Sequence, residues 1–286
     1  MKKLLIALPL LLLVAVLAYQ GRSHDPAKKG EPPSLEPRFD WTGIRKELEA
    51  ENLGGRVDES SAYGRYLSSL ETMDGPALIA AWDELKASHL PGPVAERLEP
   101  SLLGTLMRKD VELALVRFAS HVGDPPGGIS SQLFNGFRDL SERLPLKAAQ
   151  WLDQNVAAGN FGTDTAPMIS GDTPVRVTYE RELIRSLLRS GPDRAEARLM
   201  ALPEKWRIMT LAGSDSPQGQ PAYGMLVRKF MGPEQQQQEF MRMATSAAYH
   251  GGADGVAQLL DRISATADER ENIIRGTPIP PGSGNR

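Results

Sequence analysis

The sequence predicts an all-α fold: a short, solenoid-like stack of helical hairpins between a disordered N-terminal linker and a disordered C-terminal tail. Three observations predict it. Apolar residues recur at three- and four-residue spacing through almost the whole interior of the chain. Segments rich in Pro and Gly fall between those stripes. The stretches "AQWLD" at 149–153 and "AQLLD" at 257–261 are near-copies.

The N-terminus opens with Lys2 and Lys3, followed by an unbroken apolar run from Leu4 to Tyr19. A charged start before an apolar core is the layout of a secretory signal. Val16-Leu17-Ala18 offers compact side chains where a signal peptidase inspects, so residues 1–18 read as a signal peptide cleaved after Ala18. The rival is an uncleaved N-terminal membrane anchor. A spanning helix needs roughly 20 apolar residues, with a lower limit near 17, and Pro9 weakens this one. Either way, the remainder is expected outside the cytoplasm, periplasmic or extracellular, with membrane contact only through residues 1–19 if they stay attached. The chain has no Cys. That excludes a lipid anchor on a cleavage-site Cys and any disulfide framework, so an ordinary hydrophobic core must hold the fold.

Residues 19–39 are polar and Pro-rich without apolar period and read as a disordered linker. Residues 276–286, "GTPIPPGSGNR", read as a tail of the same kind. The folded part is expected at 40–275. Formal net charge is −3, or −3 − 2 = −5 without Lys2 and Lys3. No basic stripe of the kind nucleic-acid binders carry is present. Arg is interleaved with Glu, as in "YERELIRSLLR" at 179–189, which reads as a solvated helix face with neighbouring opposite charges.

The stripes run in order. Leu78, Ile79, Trp82 and Leu85 make the first. Val94, Leu98, Leu102 and Leu106 follow, then Val111, Ala114, Leu115, Phe118 and Val122. Leu133, Phe137, Leu140 and Leu144 make a fourth, and Leu183, Ile184, Leu187 and Leu188 another. Strand-like alternation is confined to "VRVTY" at 175–179, which equally suits the lead into the helix behind it. Pro76 and Pro145 look like first-turn prolines, tolerated because their missing N–H would be unpaired there.

Repetition explains the near-copies. Segments beginning at Pro76, Asp110 and Pro145 are spaced 110 − 76 = 34 and 145 − 110 = 35 residues apart. In each, a small residue (Ala80, Ala114, Ala149) is followed two positions on by a larger one (Trp82, Val116, Trp151). The small residue is expected to allow close helix approach and the large one to fill the gap beside it. Ala257 lies 257 − 149 = 108 residues beyond Ala149, three steps of 36. A period in the middle thirties means one two-helix unit per repeat. Such units bury their apolar faces only by stacking.

The pattern "AAW", "LPGP", "RKD", "GDPP" and "RLPLKAAQWL", over about residues 74–158, resembles degenerate tetratricopeptide-like helical-repeat proteins of the bacterial envelope. The full consensus is not met. The resemblance implies a solenoid-like shape and a tendency to bind partners, and it supplies no catalytic residues.

Chemistry-bearing motifs are sparse. A Gly-x-Ser-x-Gly elbow, a phosphate-binding Gly-rich loop and His-Glu-x-x-His are all absent. His24 falls in the linker. His89, His121 and His250 each sit between a helix and a Pro- or Gly-containing turn, where the helix dipole favours them. A stack could also gather those three at one edge, but a metal site there would need carboxylates the sequence does not place. The insertion from Gly159 to Thr178 carries Phe161, Asp164, Met168 and Asp172 among Gly and Thr. It reads as a hairpin between helices, or as a loop for a sugar or cation, without calcium-loop spacing. "QQQQEFMRM" at 235–243 reads as an exposed helix start with Phe240, Met241 and Ala244 facing inward, or as a Gln/Met partner surface.

No catalytic, cofactor-binding or metal-ligating residue is therefore assigned, and no cofactor is expected. The sequence favours an exported, non-catalytic module binding a protein or peptide partner of the cell envelope. The alternatives are an envelope hydrolase using an Asp/Glu pair and a membrane-tethered structural spacer.

Overall fold

The computed structural model describes residues 38–50, 58–125, 127–162 and 173–278. Expectations for the signal or anchor, for the linker up to residue 37 and for the tail from residue 279 lie outside the described residues, as does 163–172 of the insertion. Among the described residues there are thirteen α-helices, one 3-10 turn and no strand. The chain is all-α.

The helices are α1 (Trp41–Ala50), α2 (Ala62–Thr72), α3 (Gly75–Ala87), α4 (Gly92–Lys109) and α5 (Val111–Arg117), with the 3-10 turn Ala119–His121 after it. Then come α6 (Gly128–Arg143), α7 (Pro145–Ala157), α8 (Val175–Ser190), α9 (Pro192–Ala201), α10 (Glu204–Leu211), α11 (Gln220–Phe230), α12 (Pro233–Arg262) and α13 (Ala267–Gly276). Local chemistry sets their starts. Ser61, Asp74 and Asp110 accept from the backbone N–H groups of Gly64, Ala77 and Leu113 at 2.9, 2.9 and 3.0 Å, which satisfies donors that a helix start leaves orphaned. Thr266 and Glu269 cap α13 reciprocally. Pro76 and Pro145 occupy first turns as expected.

Packing follows chain order. Helices α4, α6 and α8 lie against one another in succession, and α3, α5, α7 and α9 each pack on the neighbouring member of that row. The buried face repeats as i, i+3, i+4, i+7: Leu78-Ala81-Trp82-Leu85 in α3, Val111-Ala114-Leu115-Phe118 across α5, Ala148-Trp151-Leu152-Asn155 in α7 and Val256-Leu259-Leu260-Ile263 at the end of α12. The small-large pairing read from sequence is therefore one register off. Val116 is 68% exposed, because it lies one position beyond the buried pair Ala114-Leu115 and faces away from the stack.

The near-copies share this register. Trp151-Leu152 and Leu259-Leu260 are buried, and the Asp that follows each is exposed and ion-paired: Asp153 to Arg198 at 2.5 Å, Asp261 to Arg270 at 2.7 Å. Asp83, after Trp82, pairs with Arg117 at 2.7 Å. Cross-unit pairs recur at one-repeat separations: Asp83–Arg117 over 34 residues, Glu112–Lys147 over 35 and Glu196–Lys229 over 33. Asp153–Arg198, on either side of the insertion, spans 45 residues. Exposed pairs contribute only about 0–1 kcal/mol each, so they mark the register more than they hold it.

Helix α8 is the centre. It packs against α6, α7, α9, α10 and α11, and ten of its residues are buried. That explains the short alternation at 175–179. The first turns of the helix are enclosed on more than one side, and Val175, Val177 and Tyr179 are all interior. The Tyr179 ring meets Phe134, Phe137, Trp151 and Phe161 at centroid distances of 5.3, 4.9, 6.0 and 5.3 Å. Its hydroxyl is buried and has no hydrogen-bond partner among the described residues, and burial raises its pKa far above the usual phenol value. Tyr179→Phe is therefore expected to be neutral or slightly stabilising, because a buried unsatisfied hydroxyl costs roughly 1–3 kcal/mol. Urea denaturation checks this, and a loss above about 1 kcal/mol would show that the hydroxyl has a partner after all.

Candidate functional site

The polar residues of the "YERELIRSLLR" segment do not form a solvated face. Glu180 is fully buried and Glu182 is 8% exposed. Arg198 of α9 holds Glu180 with a two-pronged bond, Nε to Oε2 at 2.7 Å and Nη2 to Oε1 at 2.8 Å, and reaches Asp153 through Nη1. Burial works against the Arg198 charge, but hydrogen bonds and attraction from Glu180 and Asp153 outweigh it and hold its pKa above the usual guanidinium value. Two further arginines of α8 tie down the end of α10. Arg181 donates to the Met209 carbonyl at 2.8 Å, and Arg185 donates to both Glu182 oxygens and to the Gly213 carbonyl, each at 2.9 Å.

The loop after α10 is clamped from its other side. The Tyr223 hydroxyl donates to Glu239 and lies 3.0 Å from the Leu211 carbonyl oxygen, while the Gly213 N–H donates to both Tyr223 and Glu239. Arg242 bridges Glu239 and Asp215. Burial opposes the Glu239 charge, yet hydrogen bonds from Arg242 and Tyr223 outweigh that and hold the carboxyl below its ordinary range. The network thus fixes Asp215 at the rim of a hollow of about 440 Å³.

That hollow sits where α12 breaks. Gly252 has φ 58° and ψ −146°, a region essentially reserved for glycine. The segment before the break contributes Met243, Ser246 and His250 to the hollow, the segment after it Leu259 and Arg262, and α11 contributes Gln220.

A second hollow, about 210 Å³, opens between α5, α6 and α7. Trp151 and Leu140 line it, with Val116 beside them and Gln150 and Gln154 at the α7 side. Glu112 and Lys147 pair across it at 2.7 Å. Among the described residues the buried Trp151 indole N–H has no acceptor, and the Gln150 and Gln154 side chains make no hydrogen bond. Leu144 and Leu146, next in sequence to Pro145 and Lys147, are 42% and 55% exposed.

The histidines are not brought together. His89 follows α3 with φ 51°. His121 bonds Asp124 through Nδ1 at 2.7 Å. His250 alone lines the α12 hollow. No group of three or more metal-ligating side chains occurs among the described residues. In the insertion, Phe161 packs on Tyr179, and Asp164, Met168 and Asp172 lie outside the described residues. The glutamine run starts α12 as a capping device: Gln236 Nε2 donates to the Met231 carbonyl at 2.6 Å and Gln235 Oε1 accepts from the Gly232 N–H at 3.2 Å. Phe240 and Ala244 are buried as expected, while Met241 is half-buried and Met243 is the methionine in the interior.

Sequence reasoning missed Asp215, Gln220, Tyr223, Glu239, Arg242 and Arg262. Their contacts join segments separated in the chain, and with Asp215 in a loop and Arg242 and Arg262 at exposed helix positions, a reading of apolar period does not pick them out. No helix among the described residues is long and apolar enough to cross a membrane. In comparisons with known proteins, no family model, no curated protein and no solved structure matches this chain.

Proposed function

We propose that the chain is a non-catalytic helical-repeat module, exported to the cell envelope, that binds a protein or peptide partner on the α5–α7 surface. The observation that carries this reading is the exposure of Val116 in the lining of the Trp151 hollow, with Leu144 and Leu146 also exposed at the start of α7. An exposed aliphatic side chain in an aromatic-lined hollow is apolar surface of the kind a partner covers. The surroundings suit a peptide. Glu112 and Lys147 neutralise each other, and each free glutamine amide offers a donor and an acceptor to a peptide backbone. The recurring buried face and the one-repeat ion pairs support a solenoid-like stack, a geometry that creates extended binding surfaces.

Glu47, Asp58, Glu239 and Glu269 all have pKa values lowered, through backbone or side-chain hydrogen bonds. A glycosidase-type acid needs the opposite displacement.

The test is in-cell crosslinking of the tagged full-length chain, followed by mass spectrometry. One partner should be captured in near-stoichiometric amount. The pair of substitutions V116D and L146D should weaken capture by at least about tenfold, since burying each aliphatic side chain is worth roughly 1.5–3 kcal/mol, while leaving the melting temperature unchanged. Only trace recovery of abundant proteins, or capture that survives the substitutions, would sink the proposal.

A further inference from the structure

The break in α12 builds a second site. Sixteen residues separate Ser246 from Arg262, about 24 Å along a continuous helix. The turn at Gly252 instead brings both to one hollow. Gly255 makes the closeness possible: a Cβ there would lie 2.5 Å from the Ala247 carbonyl oxygen.

The charges of this hollow are unbalanced. Arg262 Nη1 donates to Gln220 Oε1 at 3.2 Å and Nη2 to Gln258 Oε1 at 3.1 Å. Both acceptors are neutral, and Arg262 has no ion pair among the described residues. Two amide oxygens thus orient an exposed guanidinium whose charge stays uncompensated and whose other N–H groups are open. The one carboxylate lining the hollow, Asp215, is already engaged by Arg242. Ser246 and His250 stand on the facing segment, and the Ser246 hydroxyl makes no hydrogen bond among the described residues. Met243, Leu259 and Pro217 supply apolar wall. The complement of such a site is an anion on a short carbon chain.

We propose that the hollow at the α12 break binds an organic carboxylate. Arg262 anchors it, Ser246 and His250 donate from the facing wall, and Met243, Leu259 and Pro217 cover its carbon chain. The carboxylate comes from a free small acid or from an acidic side chain of a partner. This site shares no residue with the α5–α7 surface and stands or falls separately from it.

The test uses the full-length chain with ¹⁵N-labelled glycine and arginine. Two probes are titrated, sodium glutarate and an end-blocked tetrapeptide with one glutamate. Saturable shifts of the Gly251, Gly252 and Gly255 amide signals and of the Arg262 side-chain signal are expected. Tighter binding of glutarate identifies a free acid, and tighter binding of the peptide a partner's side chain. R262Q should weaken binding roughly tenfold or more, as the loss of a charge-assisted hydrogen bond predicts, and R262K by less. If R262Q lowers the melting temperature, the neutral diamide glutaramide serves as the control on the unaltered chain and should not bind. Absence of shifts with both probes overturns the proposal. So does equal binding of glutaramide, or undiminished binding by R262Q and R262K.

Discussion

Replacing Glu180 with alanine is expected to destabilise the chain by about 3–5 kcal/mol, the cost of leaving one partner of a buried ion pair behind. Glu180 is fully buried in the centre of α8, so no water replaces its carboxylate. Arg198 is itself largely enclosed and loses both prongs of its strongest contact. What remains to it is Asp153, most of which faces solvent. Arg176, 3.5 Å from Glu180, loses its ion partner as well and keeps its position over the Trp206 ring at 5.1 Å. Two comparisons separate burial from pairing. Asp153→Ala should cost no more than about 1 kcal/mol, as exposed pairs do. The double variant E180L/R198M, which removes both charges at similar volume, should recover most of the loss, because apolar replacements of buried pairs are often neutral or better. Urea denaturation followed by far-ultraviolet circular dichroism reads all three. If E180A stays within about 1 kcal/mol of the parent, Arg198 must reach water, and the enclosed description of α8 would be wrong.

How legible this was in the sequence depends on the position. Leu98, Leu102 and Leu106 repeat at helical spacing because one face of α4 is buried and the other wet, and all three are fully interior. The copies at 149–153 and 257–261 were readable because two stacked helices bury the same positions and expose the same Asp. Val116 was misplaced since alignment by identity put the repeat one residue off its buried face. Glu180 looked like a surface residue because a local reading of "YERELIRSLLR" weighs only neighbours on the same helix. What buries it arrives from α7, α9 and α10, and Arg198 comes from 18 residues downstream. The α12 hollow was hidden for the same reason. Its polar members are spread from Asp215 to Arg262. They converge only because a helix that the sequence pattern would continue turns at Gly252.

That turn yields the second large effect. Gly252→Ala is expected to cost about 1–3 kcal/mol, the strain of holding a side chain in a backbone region that only glycine occupies freely. Neighbouring glycines separate this cause from helix propensity. An added Cβ at Gly251 meets nothing within 4 Å, so Gly251→Ala should be neutral or stabilising by up to about 1 kcal/mol, since alanine forms helices better. Gly255→Ala should be costly for a steric reason, with its Cβ only 2.5 Å from the Ala247 carbonyl oxygen, a backbone atom that can yield only if the two segments separate. The order of melting temperatures should therefore be G251A highest, with G252A and G255A both below the parent. The same measurement bears on the carboxylate site. If the two segments must stay folded back to join Ser246 with Arg262, G252A and G255A should lose glutarate binding while G251A keeps it. Were G252A to melt with the parent, α12 would have to run on through residue 252, and the hollow would have no means of forming.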